Sequence, residues 1–223
     1  DAISNMIPNQ FGEIDKYNIS ISLKEEKFDE DLQTLEDSIL ENDEITDTLG
    51  ANVQSEKKKK NDNNQSIQLI VPEDVDKLKE FIVLRDRIHQ DETYTLDNSG
   101  VIITEKLADL LEIKEGDTIL LENADGDRRE VKVAKITENY IMHYIYMSPE
   151  LYNSTFDDRI ESNVIYAKTI DMNEEQEDSL GKILLQDSDN ISGVSFTSAS
   201  EDMFTTVMDN MDMVVWILII AAG

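Results

Sequence analysis

Hydrophobic residues alternate with polar ones from Tyr17 to Lys24, and a period of two over that length predicts a strand with one buried face. In residues 29–42 the apolar positions fall on one face of a helix, with acidic residues elsewhere. Strand-like pieces near 48–55 and 66–71 then flank a stretch without any apolar side chain. This order predicts a strand, a helix and a two-stranded hairpin with a solvated tip.

The centre of the chain has shorter elements. An apolar face over residues 74–82 predicts a helix. Residues 140–147 are apolar or aromatic on both faces, which predicts a strand buried on both sides. Between them, Thr104 is a candidate N-cap for a short helix, and Asp125-Gly126 is a hairpin signal. The pattern therefore predicts a small mixed unit that is rich in strands.

The last third returns to the order of the first. Residues 163–170 predict a strand, residues 174–186 a helix and residues 191–197 another strand. Ser198 and Glu201 have the spacing of a capping box, which predicts the start of a final helix. The apolar face of that helix carries Phe204, Val207, Met208 and Met211.

The final helix continues without a breaker into a run that has no charged or polar side chain, from Met213 to Gly223. A membrane helix needs about 20 apolar residues, so this run is too short to span a membrane alone. It is either a truncated membrane helix or a terminal helix that is buried in the domain. In the first case, the residues that enter the membrane are Met211, Met213, Val214, Val215, Trp216, Ile217 and Leu218.

Together these elements predict an α+β fold. The two outer units follow the strand and helix order of a split βαβ sandwich. We therefore expect one porter-like subdomain formed from both chain ends, residues 16–72 and 163–200, with an inserted small β-rich subdomain at residues 73–162. Residues 1–15 are expected to leave a preceding membrane helix, and residues 201–223 to lead into a second, truncated one. Both helices would leave the first subdomain on the same side.

Charge narrows the classes of function. Acidic residues outnumber basic ones by 49 to 20, which gives a formal net charge of −29. Such a surface repels phosphate backbones, so a role in binding nucleic acid is excluded. Hydrophobic residues make up 39% of the chain, enough for a folded core. The absence of cysteine excludes disulfides and thiolate chemistry but does not identify the compartment.

Candidate catalytic and metal-binding residues are few. The histidines are His89 and His143, and a zinc site would need carboxylates for its other ligands. We interpret His143 as a core or rim residue and His89 as exposed. Asp125-Gly126-Asp127 is followed by two arginines, so it lacks the spacing of a calcium loop and is a turn. Phosphate-binding and nucleophilic-serine motifs are missing too, so no catalytic, cofactor or metal residue is assigned and the chain is predicted not to be an enzyme.

The most unusual local feature is a run of four lysines, Lys57, Lys58, Lys59 and Lys60, in this acidic chain. One interpretation is a solvated hairpin tip. The other is an electrostatic contact with an acidic partner, such as an anionic cell-wall polymer or a neighbouring acidic domain, which would weaken with salt.

Three stretches carry a resemblance to a known family. They are DAISNMIPNQFGEIDKYNISISL at Asp1–Leu23, GVIITEKLADLLEIKEGDTI at Gly100–Ile119 and MDNMDMVVWILIIAAG at Met208–Gly223. In these stretches the chain resembles the extracytoplasmic domain of FtsX-like permeases, also called the MacB-like periplasmic core domain. These proteins are the membrane subunits of ABC transporters.

The resemblance implies a function and partners. The domain would lie outside the cytoplasm at the cell membrane, to which its flanking helices attach it. It would work with a cytoplasmic ABC ATPase subunit, and the permease would form a homodimer or pair with a related permease. ATP hydrolysis would be coupled to export, substrate handling or mechanical signalling, without a cofactor in this domain. The lysine hairpin and the strong acidity depart from better-known members and put any specific substrate in doubt.

Two other hypotheses stay open at this point. A free-standing secreted or cell-surface binding module without enzymatic activity would need the terminal apolar run to be buried. A hydrolase with paired carboxylates would need a deep acidic cleft, which no spacing in the sequence supports. If the final helix does enter the membrane, it either transmits a push or rotation or serves as a simple anchor.

Overall fold

The computed structural model describes residues 5–60 and 63–222. For residues 57–60, 63, 64 and 211–222 the description covers the backbone and not the side chains. The helices are α1 (Met6–Pro8, continued by a π-helical turn Asn9–Ile14), α2 (Asp29–Leu40), α3 (Glu105–Leu111), α4 (Pro149–Phe156), α5 (Glu174–Leu185) and α6 (Thr197–Ala222), with a 3-10 turn at Leu78–Glu80. The strands are β1 (Ile19–Lys27), β2 (Ile45–Lys60), β3 (Asn63–Pro72), β4 (Val101–Thr104), β5 (Thr118–Glu122), β6 (Arg128–Thr137), β7 (Tyr144–Tyr146), β8 (Ser162–Thr169) and β9 (Ile191–Phe196).

Within the described residues the nine strands form one mixed sheet, in the order β5-β6-β4-β7-β3-β2-β8-β1-β9. The strands β2, β8, β1 and β9 are each antiparallel to their neighbours. Helix α2 connects β1 to β2, and α5 connects β8 to β9. The short parallel pairing of β3 with β7 joins these strands to the central ones, so the predicted inserted unit shares the sheet with the chain ends. The fold is α+β, as the sequence predicts.

Three clusters of buried side chains form the core. One lies between α2, α5 and the outer strands, where Leu32, Leu35 and Leu180 pack on Ile21 and Ile165. The second lies between the central strands and helices α3 and α4. The third fills the face of β2 opposite α2. There the odd-numbered residues of β2 pack against the segment around the 3-10 turn. Residues of β2 are therefore buried on both faces of the sheet.

Two predicted elements are wrong in type or extent. Residues 74–82 form only a 3-10 turn at Leu78–Glu80 and not a helix. Leu78, Phe81 and Ile82 are nevertheless buried, because that segment is held against β2 by tertiary packing. The strand predicted over residues 140–147 is only three residues long. Met142, just before it, has φ +67°, which no strand residue adopts.

Of the two candidate caps, Thr104 does occupy the N-cap position of α3, whereas Ser198 is not an N-cap. Thr104 precedes α3 but makes no capping hydrogen bond, because its hydroxyl accepts from the Tyr144 backbone N–H at 3.2 Å. The final helix begins at Thr197, so Ser198 lies inside it. The Ser198 hydroxyl donates to the Glu177 carboxylate of α5 at 2.8 Å instead. In each case a tertiary partner replaces the local one that the sequence pattern predicts.

The predicted hairpin exists but is longer than expected. Strands β2 and β3 pair down to Lys60 and Asn63, so most of the polar octamer belongs to strands and not to a loop. The register places Lys57 opposite Ser66 and Lys59 opposite Asn64.

Candidate functional site at the junction of the terminal helices

The N-terminal helical segment, residues 6–14, lies against the first half of α6. The rings of Phe11 and Phe204 are 6.2 Å apart between centroids. Beside them is an apolar cavity of about 220 Å³. Its hydrophobic lining consists of Met6, Ile7, Ile141, Met142, Phe204 and Met208. We call this region, residues 6–14 with residues 138–142 and 204–208, the junction.

Helix α6 touches the domain through a narrow face. Phe204 and Met208 are half-buried, whereas Met203 and Val207 are exposed. The predicted apolar face therefore packs through two of its four residues; Val207 turns to the solvent, and the Met211 side chain lies outside the described residues. At its first turn the helix is also fixed by the Thr197 backbone N–H, which donates to the Asn18 carbonyl at 2.9 Å, and by the bond from Ser198 to Glu177.

The N-terminal segment is held by a clamp of hydrogen bonds from Gln10. Its Nε2 donates to Asp15 Oδ2 at 2.8 Å and to Asn139 Oδ1 at 2.9 Å. Its Oε1 accepts from the Tyr140 backbone N–H at 2.8 Å. Gln10 is almost fully buried, and a buried amide with all these partners fixes the segment in one position.

An ion-pair network lies next to this clamp. Arg85 Nε donates to Glu138 Oε2 at 2.5 Å, and its Nη2 donates to Glu13 Oε2 at 2.7 Å. The Glu138 side chain has no solvent exposure and also accepts from the Tyr140 hydroxyl. Glu13 lies on the N-terminal segment, so Arg85 joins this segment to the end of β6 by charge-assisted bonds.

Asp15 ends the π-helical turn and faces a group of tyrosines. Burial raises the pKa of Asp15 to about 6, and the hydrogen bond from Gln10 opposes this shift. Burial, with Asp15 as a further cause, also raises the pKa values of Tyr17, Tyr144 and Tyr146. Asp15, which accepts a hydrogen bond from Gln10 of the junction, therefore has a carboxyl group whose pKa lies near neutral pH.

The residues singled out from the sequence as contact or membrane-entry residues have described backbone positions only. Lys57–Lys60 have backbone positions in β2, and their side chains lie outside the described residues. The same holds for the side chains of Met211 and 213–218 in α6. In the part of the chain that the structure describes, no helix is both long enough and apolar enough to cross a membrane. The partner contact and the membrane entry remain predictions.

The two histidines are far from forming a metal site. His143 Nε2 lies 3.2 Å from Gln65 Oε1, and burial, followed by the charge of Lys106, lowers the pKa of His143. His89 is exposed beside Asp86. Across residues 5–60 and 63–222, no three His, Cys, Asp or Glu side chains gather as a metal site would need. In the Asp125-Gly126 turn, Asn123 Oδ1 accepts from the backbone N–H groups of Asp125 and Asp127.

Sequence patterns miss the residues that build the junction. Gln10 contacts Asn139 across 129 positions, and Arg85 contacts Glu138 across 53. Each is a single polar residue without a motif around it. The residues around Gln10 include the polar Asn9 and Glu13, so periodicity does not single out Gln10.

Comparisons with known proteins give similar solved structures. No protein-family model and no curated protein sequence matches the chain at a significant level. The periplasmic region of MacB from Actinobacillus actinomycetemcomitans is 12% identical, with a TM-score of 0.43, over 92% of this chain and 98% of that one. The extracellular domain of the noncanonic ABC-type transporter YknZ from Gram-positive bacteria is 14% identical, with a TM-score of 0.41, over 79% and 98%.

Proposed function

We propose that this chain is the extracytoplasmic domain of a bacterial ABC transporter permease and that its junction passes movements of the membrane helices to the sheet. The observation that carries the proposal is the contact of the N-terminal segment with α6 through Phe11 and Phe204. Helix α6 then continues as one helix to Ala222, into the uncharged run of the sequence. A continuous helix is stiff enough to transmit a displacement, unlike a glycine-rich linker.

The two sides of the junction differ in how firmly they are held. The N-terminal segment is fixed by buried bonds from Gln10 and by the ion pair of Glu13 with Arg85. Beyond its first turn, where Ser198 is bonded to Glu177, helix α6 is held by Phe204 and Met208, and these are half-buried. Displacing this part of α6 breaks few contacts, whereas displacing the N-terminal segment carries β6 and the central strands with it. This difference would let α6 move while the N-terminal segment stays fixed to the sheet.

In this proposal the movement begins in a cytoplasmic ABC ATPase subunit. The permease attaches to the membrane through helices before and after this domain and works as a homodimer or with a related permease. The domain itself has no catalytic role. The hairpin of β2 and β3 carries Lys57–Lys60 as a contact for an acidic partner, and that contact is expected to weaken with increasing salt.

Cross-linking across the junction tests the coupling. Since the chain has no cysteine, Phe11→Cys with Phe204→Cys gives one defined pair. In membranes that contain the full-length protein and its ATPase, a short bis-maleimide should link the pair. The yield should change when ATP and vanadate trap the ATPase. An equal yield in the trapped and nucleotide-free states would contradict coupling through the junction. Phe11→Cys with Ile88→Cys, an exposed site outside the junction, serves as the control.

A further inference from the structure

A long segment without a helix or a regular strand connects the 3-10 turn to β4. Across residues 81–100 the described backbone has only isolated bridges, among them the bridge of Arg85 with Thr93. Irregular loops of more than about 12–15 residues in a compact domain are usually either functional or disordered. This segment is fixed in place, because Leu84 and Leu96 are buried in the third core cluster. It is therefore a candidate binding surface.

Two stretches of this segment pair as a short antiparallel ribbon. Backbone hydrogen bonds of 2.8 and 3.0 Å lie on either side of the bridge of Arg85 with Thr93. In a pair of this kind, both residues direct their own N–H and C=O groups away from each other. On the Arg85 side these groups are satisfied. The N–H donates to Thr137 Oγ1 at 2.9 Å, and the carbonyl accepts from the Glu138 N–H at 2.9 Å.

The Thr93 side of the ribbon is an edge without a neighbouring strand. Thr93 and Thr95 are exposed, whereas Tyr94 is half-buried and Leu96 is buried, which is the alternation of an extended stretch. Among the described residues, none bonds to the N–H or the carbonyl of Thr93 or Thr95. We call residues 93–95 the open edge. A row of unpaired backbone groups like this one is a template for pairing with another chain.

Two cavities flank the open edge, and all three of its residues line both of them. One cavity, of about 580 Å³, is shared with the N-terminal helical segment and the residues around the 3-10 turn, and its lining includes Lys16, Lys79 and Arg85. The other, of about 360 Å³, is shared with β4 and β6 and includes Lys132 and Lys135. Both volumes are in the range of about 300–1,000 Å³ that ligand sites have.

The lining of these cavities differs in charge from the rest of the chain. It contains the five basic residues just named and four acidic ones, although acidic residues outnumber basic ones by 49 to 20 in the whole sequence. Arg85 is already paired with Glu13. Lys16, Lys79 and Lys132 form no ion pair with any carboxylate in the described part of the chain. These three lysines favour a ligand that carries negative charge.

We propose that the open edge binds an extended acidic peptide of a partner protein as an added strand. The backbone groups of Thr93 and Thr95 pair with the peptide. Its side chains enter the two cavities, where its carboxylates meet Lys16, Lys79 and Lys132. In this mode of recognition the main-chain hydrogen bonds give affinity and the side-chain pockets give specificity. The net charge of −29 repels an acidic peptide from most of the surface, so the lysines also direct it to this edge.

The test uses the peptide Glu-Val-Glu-Val-Glu-Val with fluorescein at its N-terminus, titrated with the chain at low salt and followed by fluorescence anisotropy. We expect saturable binding that weakens as NaCl is added. The same peptide with every backbone nitrogen methylated keeps its carboxylates but cannot donate main-chain hydrogen bonds. It should bind about tenfold more weakly. Absence of saturable binding, or equal affinity for the two peptides, would overturn the proposal.

Two pairs of variants locate the site. Thr95→Pro removes an N–H that has no partner in the described fold, so it should fold normally and weaken binding about tenfold. Thr95→Val keeps the N–H and should bind like the wild type. Lys79→Gln should weaken binding about twofold to fivefold. Lys182→Gln, at an exposed lysine of α5, should leave binding unchanged.

Circular dichroism shows whether each variant is folded. Equal affinities of folded Thr95→Pro and Thr95→Val would place the peptide elsewhere and contradict the proposal. If Thr95→Pro does not fold, the lysine variants decide, since equal affinities of Lys79→Gln and Lys182→Gln contradict the proposal in the same way.

Discussion

Arg85 and Arg87 are two positions apart in the chain. Arg85 forms a buried ion pair with Glu138, whereas Arg87 forms a solvent-exposed ion pair with Glu105. The side chains of Arg85 and Glu138 are 9% and 0% exposed, whereas those of Arg87 and Glu105 are 53% and 31% exposed. Removing one partner of a buried pair leaves an uncompensated charge in the interior. An exposed pair loses little, because water replaces the partner. Burial and not sequence position decides which arginine matters for stability.

Arg85→Met is therefore expected to lower the free energy of unfolding by about 3–5 kcal/mol, since Glu138 is left buried and unpaired. Arg87→Met should cost at most about 1 kcal/mol. Urea unfolding of both variants measures the difference. Arg85→Met combined with Glu138→Gln should recover part of the loss, because the orphan charge is gone. Equal effects of the two single variants would show that the network of the junction is not buried.

The raised pKa of Asp15 predicts that the free energy of unfolding depends on pH. Its pKa in the folded state, about 6, is above the ordinary value, so the folded protein favours the neutral acid and loses stability as pH rises towards that value. Asp15→Asn keeps an acceptor for Gln10 and does not titrate. Its advantage over the wild type in urea unfolding should grow from about pH 4, near the ordinary pKa of aspartate, to about pH 6 and then level off, with an upper limit of about 3 kcal/mol.

Asp43→Asn, at an exposed acid, is the control for net charge and should give the same difference from the wild type at every pH. If Asp15→Asn also differs from the wild type by a constant amount, Asp15 is not the titrating group.

Elements with a long, regular pattern could be predicted from the sequence. The alternation around Ile21 and the helical faces of α2 and α5 lie where the pattern places them, because each buries its apolar face in one core cluster. Short elements could not be predicted. The segment around Phe81 has a helical pattern, but tertiary packing determines its burial without helical hydrogen bonds.

The close approach of β4 and β6 explains why position 100 is a glycine, which no sequence pattern indicates. At Gly100, just before β4, a Cβ atom would lie 2.4 Å from the Lys132 carbonyl oxygen of β6. Backbone cannot move aside as a side chain can, so Gly100→Ala should destabilise the fold by about 1–3 kcal/mol. Gly12 lies in the π-helical turn and has nothing within 4 Å of its Cβ position.

Gly12→Ala should be neutral or stabilise by up to about 1 kcal/mol, because alanine loses less entropy than glycine on folding. Thermal unfolding of the two alanine variants measures both effects. A Gly100→Ala variant as stable as the wild type would mean that β4 and β6 are farther apart than described.

The molecule as a whole is organised by contacts between distant parts of the chain. The parallel pairing of β3 with β7 joins the central strands to the outer ones in one sheet. The contacts of Gln10 with Asn139 and Tyr140 fix the N-terminal segment beside α6. Periodicity describes single elements, so it could not predict the polar network that joins the N-terminal segment to the end of β6. The residues that build the junction can therefore be identified only from the three-dimensional structure.

The central claim is that this domain lies outside the cytoplasm, and topology in intact cells tests it most directly. Asn63→Cys, at the end of the hairpin, is placed in a full-length protein without other cysteines. Ala167→Cys, at a fully buried position of β8, is the control and should react only after denaturation. We predict that a membrane-impermeant maleimide labels Asn63→Cys in intact cells. Labelling of Asn63→Cys only after lysis would place the domain in the cytoplasm and contradict the account.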